Sequence, residues 1–289
     1  MNPAIDLAET AVRKLAPAIW EHYQHFNYLT GLEPRKSVAD QKISEAVRDL
    51  EANGMHIVEN FMPAEWCDEV LSQIKPHLNS LMAGTLPPGV KYSLHEGDPQ
   101  KRVLDIHKLV PKAWEYFGNP FMMDAFQGYA AQNLTAHQYM VDWRSGVGLT
   151  TDTDEWHFDD PYPAFKLKAF LYLNDVGIEN GPFCYIPGTH INARWRKWKN
   201  RDAYVNQQSG DWGQFTANHV SVAKKRYGFK DKACTGKRGT LILFDSGGLH
   251  RSSVVRSGER YVLCPYYEIV PRKRSFVGAL KRRMSPVGR

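Results

Sequence analysis

The feature that most constrains this chain is the run Glu155-Trp156-His157-Phe158-Asp159-Asp160. It sets an imidazole and a carboxylate two positions apart. In a strand, side chains at i and i+2 point to the same face, so His157 and Asp159 can reach one metal ion from one side of a sheet. The best third donor is His250, which follows a strand-like run, Thr240-Leu241-Ile242-Leu243-Phe244-Asp245, and a turn, Ser246-Gly247-Gly248. Two imidazoles and a carboxylate on one face, with open positions opposite, are the donor set of a non-haem Fe(II) site. A His-x-Asp alone is equally the mark of a histidine hydrogen-bonded to a nearby carboxylate, and a chain with 11 histidines produces some by chance. The downstream context separates the two readings. His250 is followed by Arg251-Ser252-Ser253, and Arg260 opens another strand-like run. Anchoring a dicarboxylate beside a metal requires a cationic side chain; a guanidinium offers a bidentate fork to a carboxylate, and the Ser252 hydroxyl can add a hydrogen bond. Arg256 competes for this role, but Arg256-Ser257-Gly258-Glu259 reads as a turn, which leaves Arg256 in solvent.

The order His157-x-Asp159, then Asn180-Gly181-Pro182-Phe183-Cys184-Tyr185-Ile186-Pro187-Gly188-Thr189-His190, then His250-Arg251-Ser252 and Arg260, resembles the phytanoyl-CoA dioxygenase family of Fe(II)- and 2-oxoglutarate-dependent oxygenases. The resemblance covers roughly residues 50–270 and is dense from 155 to 268. Its most diagnostic part is the Asn-Gly-Pro to Pro-Gly-Thr-His block, which carries no metal ligand. The resemblance implies that His157, Asp159 and His250 ligate Fe(II). It implies that Arg260, helped by Ser252, holds the far carboxylate of 2-oxoglutarate, that O2 is the oxidant, and that succinate and CO2 are released. In the family's halogenases the ligand carboxylate is replaced by a small residue; Asp159 is present here, which points to hydroxylation or a related oxidation. Gln138, Tyr139 and Arg144, on a strand-like run leading to the metal loop, are candidates to face the site, Gln138 for the co-substrate. The family's substrates range from acyl-CoA thioesters to small metabolites. No stretch reads as a phosphoadenosine cradle, which favours a small, polar metabolite and natural-product tailoring over acyl-CoA. Two alternatives stay open: a metal-dependent isomerase or lyase on the same barrel, and a non-catalytic ligand-binding protein.

The composition limits the partners. Hydrophobic residues are 43% and charged residues 24% of the chain, which is ordinary for a soluble globular protein. A net charge of +6 would admit nucleic acid on charge alone, but no nucleic-acid motif accompanies it; a small-molecule substrate fits as well. No apolar run is long enough to span a membrane, and Met1 to Asp6 lack the basic-then-apolar pattern of a signal peptide. Cys67, Cys184, Cys234 and Cys264 show no Cys-x-x-Cys spacing, so reduced thiols in a cytoplasm are expected. Nothing in the pattern specifies an oligomeric state.

The expected fold class is mainly β with added helices, a double-stranded β-helix of the jelly-roll or cupin-like type. A single catalytic domain is expected over 1–289: a helical N-terminal extension over 1–54, a jelly-roll core over 55–270 and a basic tail over 271–289. The core carries an insertion or lid over 191–237, where Arg194, Arg196, Lys197, Lys199 and Arg201 crowd around Trp195 and Trp198. Apolar periodicity predicts helices over 4–26, 37–52 (capped by Ser37) and 63–82, although Pro76 argues against an unbroken third helix. A further helix is expected around 111–128, interrupted near Gly118-Asn119-Pro120. Strands are expected at 55–61, 134–143, 167–174, 182–186 and 261–270. Asn180-Gly181 signals a hairpin, and Pro265 signals an edge strand or a bulge.

Overall fold

The computed structural model describes residues 40–94, 99–150, 154–159, 166–190, 214–215 and 217–269. The expected helix over 4–26, most of the expected lid and the basic tail lie outside these residues. The first described element, α1 (Gln41–Asn53), is capped by Asp40 and not by Ser37. The Asp40 carboxylate accepts from the Lys42 and Ile43 amides at 2.8 and 3.2 Å, satisfying two otherwise orphaned donors. Strand β1 (Met55–Val58) and helix α2 (Ala64–Met82) follow. Helix α2 continues through Pro76 without a break. A proline inside a helix costs about 3 kcal/mol. The stripe Val70, Leu71, Ile74, Leu78 and Leu81 is buried, and at about 1.5–3 kcal/mol per side chain its burial outweighs that cost.

Two short strands, β2 (Tyr92–Ser93) and β3 (Gln100–Val103), lead to helices α3 (Trp114–Phe117) and α4 (Pro120–Ala130). The break between these helices falls where Asn119 caps α4 by accepting from the Phe121 amide at 3.0 Å. The remaining elements are β4 (Leu134–Arg144), β5 (Trp156–His157), β6 (Lys166–Tyr172), β7 (Phe183–Tyr185), β8 (Gln214–Phe215), α5 (Ala217–Tyr227), β9 (Lys232–Cys234), β10 (Leu241–Asp245), β11 (His250–Ser252) and β12 (Arg260–Ile269). Among the described residues, no helix is long and apolar enough to cross a membrane.

Among the described residues, the strands form two antiparallel sheets: a seven-stranded sheet ordered β1-β10-β6-β12-β4-β3-β2 and a five-stranded sheet ordered β8-β5-β11-β7-β9. This is the expected jelly-roll architecture. Strand alternation sorts the side chains. Leu167, Ala169 and Leu171 of β6 and Leu263 and Tyr267 of β12 leave the large sheet on one face and pack with α1, α2 and α4. Tyr172, Ile242, Phe244, Val262 and Cys264 leave the other face and meet Phe183 and Tyr185 of the small sheet, which closes the barrel interior. A third apolar group, including Trp156, Phe158, Phe215, Val220 and Leu249, packs α5 onto the small sheet.

Two expectations are corrected and one is narrowed. Asn180-Gly181 does not make a hairpin between neighbouring strands, because β6 lies in the large sheet and β7 in the small one; the turn carries the chain from one sheet to the other. Strand β12 is not an edge: it pairs with both β4 and β6. Pro265 is accommodated at a register shift between Cys264 and Tyr266, where β4 supplies one residue more than β12, so the bulge reading of Pro265 holds. Finally, Lys232–Cys234, expected within the insertion, pairs with β7 as a strand of the small sheet. Truncating Leu171, which is fully buried between the large sheet and the helices, to alanine is expected to cost about 2–5 kcal/mol in a urea titration. Ile178→Ala, at a side chain 54% exposed, is expected to stay within about 0.5 kcal/mol of the parent.

Candidate metal centre

The centre is assembled by the pairing of two short strands. His157 on β5 lies directly opposite His250 on β11 in antiparallel register, and their rings stand 4.4 Å apart. Asp159, just past β5, donates its amide to the Ser246 carbonyl at 3.1 Å, which turns its side chain toward both imidazoles. Asp159 Oδ1 is 3.5 Å from His250 Nε2 and 4.0 Å from His157 Nε2. One ligand atom from each of the three residues lies within 4.8 Å of the others.

The hydrogen bonds fit these residues to a metal. His157 Nδ1 is 2.7 Å from the Glu155 carbonyl and His250 Nδ1 is 2.9 Å from the Gly248 carbonyl. A carbonyl only accepts, so each Nδ1 carries the proton and each Nε2 presents a lone pair to the space in front of Asp159. Burial, with His250 as neighbour, pulls the His157 pKa down to about 4 and keeps that ring neutral at physiological pH. Burial pushes the Asp159 carboxyl up, but the Lys168 ammonium and His250 outweigh it and hold the group well below the usual range. Two imidazoles presenting Nε2 and one ionised carboxylate, all oriented by backbone groups, suit a divalent first-row metal.

The residues that carry no ligand hold the ligands in place. Asp245 Oδ1 accepts from the Gly247 amide at 2.8 Å, and its Oδ2 accepts from Tyr129 at 2.6 Å; together they fix the turn that delivers His250. Gly248 has no room for a side chain, since a Cβ there would overlap the Tyr185 ring. Thr189, in the Pro-Gly-Thr-His block, donates its hydroxyl to Ile186 O at 2.6 Å and accepts from the Leu249 amide at 2.8 Å. The diagnostic block is thus a clamp on the strand that carries His250. On the other side, Arg144 grips both Asp154 oxygens at 2.5 and 2.6 Å, three residues before His157, and Arg251 stacks on Trp156 at 4.9 Å.

Arg260 opens strand β12. It is fully buried, and its Nη2 donates to Ser252 Oγ at 3.1 Å. Ser252 lies two residues along β11 from His250, on the same face and about 7 Å away along the strand. Arg260 Nη1 donates to the Gly181 carbonyl at 2.5 Å. Gly181 has φ +67, and a Cβ there would overlap the Ser253 carbonyl, so the Asn-Gly turn needs glycine to aim that carbonyl. Arg260 Nε is buried without a hydrogen-bond partner among the described residues. Asp142, which sequence reasoning missed, stands 3.9 Å from Arg260 and is held by Gln100 at 2.5 Å and Arg102 at 2.8 Å.

The candidates on β4 divide. Arg144 is buried on the inner face, paired in register with Arg260. Tyr139 faces the other way, into a ring cluster with His107, Trp114 and Phe117. Gln138 is corrected: it sits in the bulge with φ +52 and is exposed to solvent, so it does not join the inner row. Lys168 was also missed. It sits in the strand Leu167-Lys168-Ala169-Phe170-Leu171-Tyr172 as a cation among apolar residues on both faces, and that anomaly was its available signal. Replacing Thr189 with valine keeps the shape and removes both hydrogen bonds; the affinity for Mn(II) or Co(II), read by calorimetry, is expected to fall about 10–100-fold, with Thr189→Ser close to the parent.

The phytanoyl-CoA dioxygenase family model matches residues 50–261. The ectoine dioxygenase of Bordetella bronchiseptica is 21% identical over 241 residues, covering 74% of this chain and 71% of the relative. Among solved structures, EctD from S. alaskensis with bound Fe superimposes with a TM-score of 0.58 at 18% identity, covering 83% of this chain and 81% of that one. The epimerase SnoN, in complex with Fe3+, alpha ketoglutarate and nogalamycin RO, does so with a TM-score of 0.56 at 13% identity, covering 79% and 84%. With more than half of its length matched by that model, the chain belongs to the phytanoyl-CoA dioxygenase family, and is an oxygenase of the hydroxylase type that works with Fe(II), 2-oxoglutarate and O2.

Proposed function

We propose that this oxygenase hydroxylates a C–H bond of a small, polar metabolite, with His157, Asp159 and His250 holding the iron and Arg260 holding the far carboxylate of 2-oxoglutarate. The observation that carries the reading is the joint convergence of the three ligand atoms and of the Arg260–Ser252 pair on one end of the barrel interior. Iron bound there, with 2-oxoglutarate and O2, supplies the oxidant that attacks the C–H bond, and succinate and CO2 are released. The chain's own residues do the rest. The Nδ1–carbonyl bonds fix the orientation of both imidazoles and leave Nε2 as the atom turned to the metal. Ser252 and Gly181 fix the Arg260 guanidinium, whose fork suits a carboxylate. Burial of Arg260 strengthens that attraction by excluding water.

The barrel interior supports a polar substrate over an acyl chain. Arg102, Arg144, Lys168 and Arg260 share it with Asp142, Asp154 and Asp159. Such a charged wall is a poor lining for a long alkyl group and a good one for polar groups. The Bordetella bronchiseptica relative is named for ectoine, and the SnoN structure holds nogalamycin RO; both names are consistent with a small-molecule role outside acyl-CoA metabolism.

The test is succinate release over a panel of small polar metabolites and acyl-CoA thioesters, with product mass read in parallel. A gain of one oxygen on a polar metabolite is expected; turnover confined to acyl-CoA would overturn the substrate reading. Arg260→Ala is expected to raise the KM for 2-oxoglutarate about 10–100-fold, as losing a hydrogen-bonded charge does, with partial recovery at high co-substrate. An unchanged KM for 2-oxoglutarate in Arg260→Ala would overturn the role proposed for Arg260.

A further inference from the structure

Lys168 has no place in the ligand set or in the Arg260 pocket, yet it is buried against the centre. Its Nζ is 2.5 Å from Asp159 Oδ2 and 4.3 Å from the centre of the Tyr266 ring. It belongs to β6, a central strand of the large sheet, and is pinned in register opposite Phe244 on one side and Tyr266 on the other. Its neighbours Leu167 and Ala169 point to the helices, while Lys168 points into the interior and reaches Asp159.

The two oxygens of Asp159 have separate surroundings. Oδ1 faces both imidazole Nε2 atoms, at 3.5 and 4.0 Å. Oδ2 faces the ammonium. If the lysine only neutralised Asp159, it would become superfluous once a divalent ion sat against Oδ1, and its charge would then oppose that ion. A fixed cation opposes a ferric ion more than a ferrous one, because the repulsion scales with the ion's charge. By drawing charge from Asp159, it also makes the carboxylate a weaker donor, which again favours the lower oxidation state.

We propose that Lys168 is a positioning and tuning residue: it holds Oδ2 of Asp159, so that the carboxylate gives the metal one oxygen, and it biases the bound iron toward the ferrous state. The inference rests on the iron reading above. The redox step is one electron: Fe(II) gives Fe(III), the electron passing to a mediator in a titration, or to O2, forming superoxide, in air. Holding iron ferrous until co-substrate and substrate are bound limits that unproductive loss.

The experiment is a mediated redox titration of the iron-loaded protein without 2-oxoglutarate, comparing the parent with Lys168→Met and Lys168→Arg. Lys168→Met is expected to lower the midpoint potential by about 60 mV or more, the equivalent of a tenfold change in the ferric-to-ferrous ratio for one electron, and to oxidise faster in air. Lys168→Arg, which keeps the charge, is expected to lie near the parent. If Lys168→Met does not fold, Lys168→Gln carries the same comparison. A parent that binds iron while the neutral variants keep its potential would overturn the role of Lys168 alone. A parent that takes up no iron, in a protein that folds, would overturn the metal centre and this inference with it.

Discussion

The backbone pairing of His157 with His250 is the constraint on which the centre depends. Directly paired antiparallel residues hold their Cα atoms about 4.5–5.5 Å apart, close enough for two imidazoles to share one ion. Strand β5 has two residues and β11 has three, too few for the ladder alone to specify register. The register is held instead by side chains around it: Thr189 on the Leu249 amide, Asp245 within the Gly-rich turn, and Arg144 on Asp154. Each is buried, where a hydrogen bond left unmade costs more than one made contributes.

The second consequence is electrostatic. Arg102, Arg144, Arg260 and Lys168 stand in a barrel interior with Asp142, Asp154 and Asp159. Burying any one of these charges alone would be prohibitive. Asp142 illustrates how the set is held together. Burial pushes its carboxyl up, yet Arg102 and Arg260 keep it below the ordinary carboxylate range. The same carboxylate helps to anchor Arg260 without sealing it, since Arg260 Nε keeps a donor with no partner among the described residues. A site built this way has its charges placed before any ligand arrives, so little reorganisation accompanies binding.

Much of this was legible beforehand. The period-2 spacing of His157 and Asp159, the hydroxyl of Ser252 and the cation of Arg260 are local facts about strands, and local alternation survives folding. Helix α2 was readable from its stripe even across Pro76, because five buried side chains outweigh one missing hydrogen bond. The failures share a cause. Gln138 was read as a candidate to face the site from a stretch where a bulge inserts one residue and resets the faces. Asn180-Gly181 was read as a hairpin because turn chemistry shows that the chain reverses, but not which sheet it joins.

The order of chemistry-bearing residues along the chain therefore determined the strand-rich class and the family, and it named the candidate donor set. It could do so because donor type and strand periodicity are properties of short stretches. Only the tertiary structure decided what those donors face. Lys168, Asp142 and Arg102 come from β6, β4 and β3, and they reach the centre because the strand order of the large sheet places those strands side by side with β12 or one strand beyond it. Strand order is set by packing two sheets and a helical layer against each other. No window of sequence contains that information, because it is written in contacts between residues far apart in the chain.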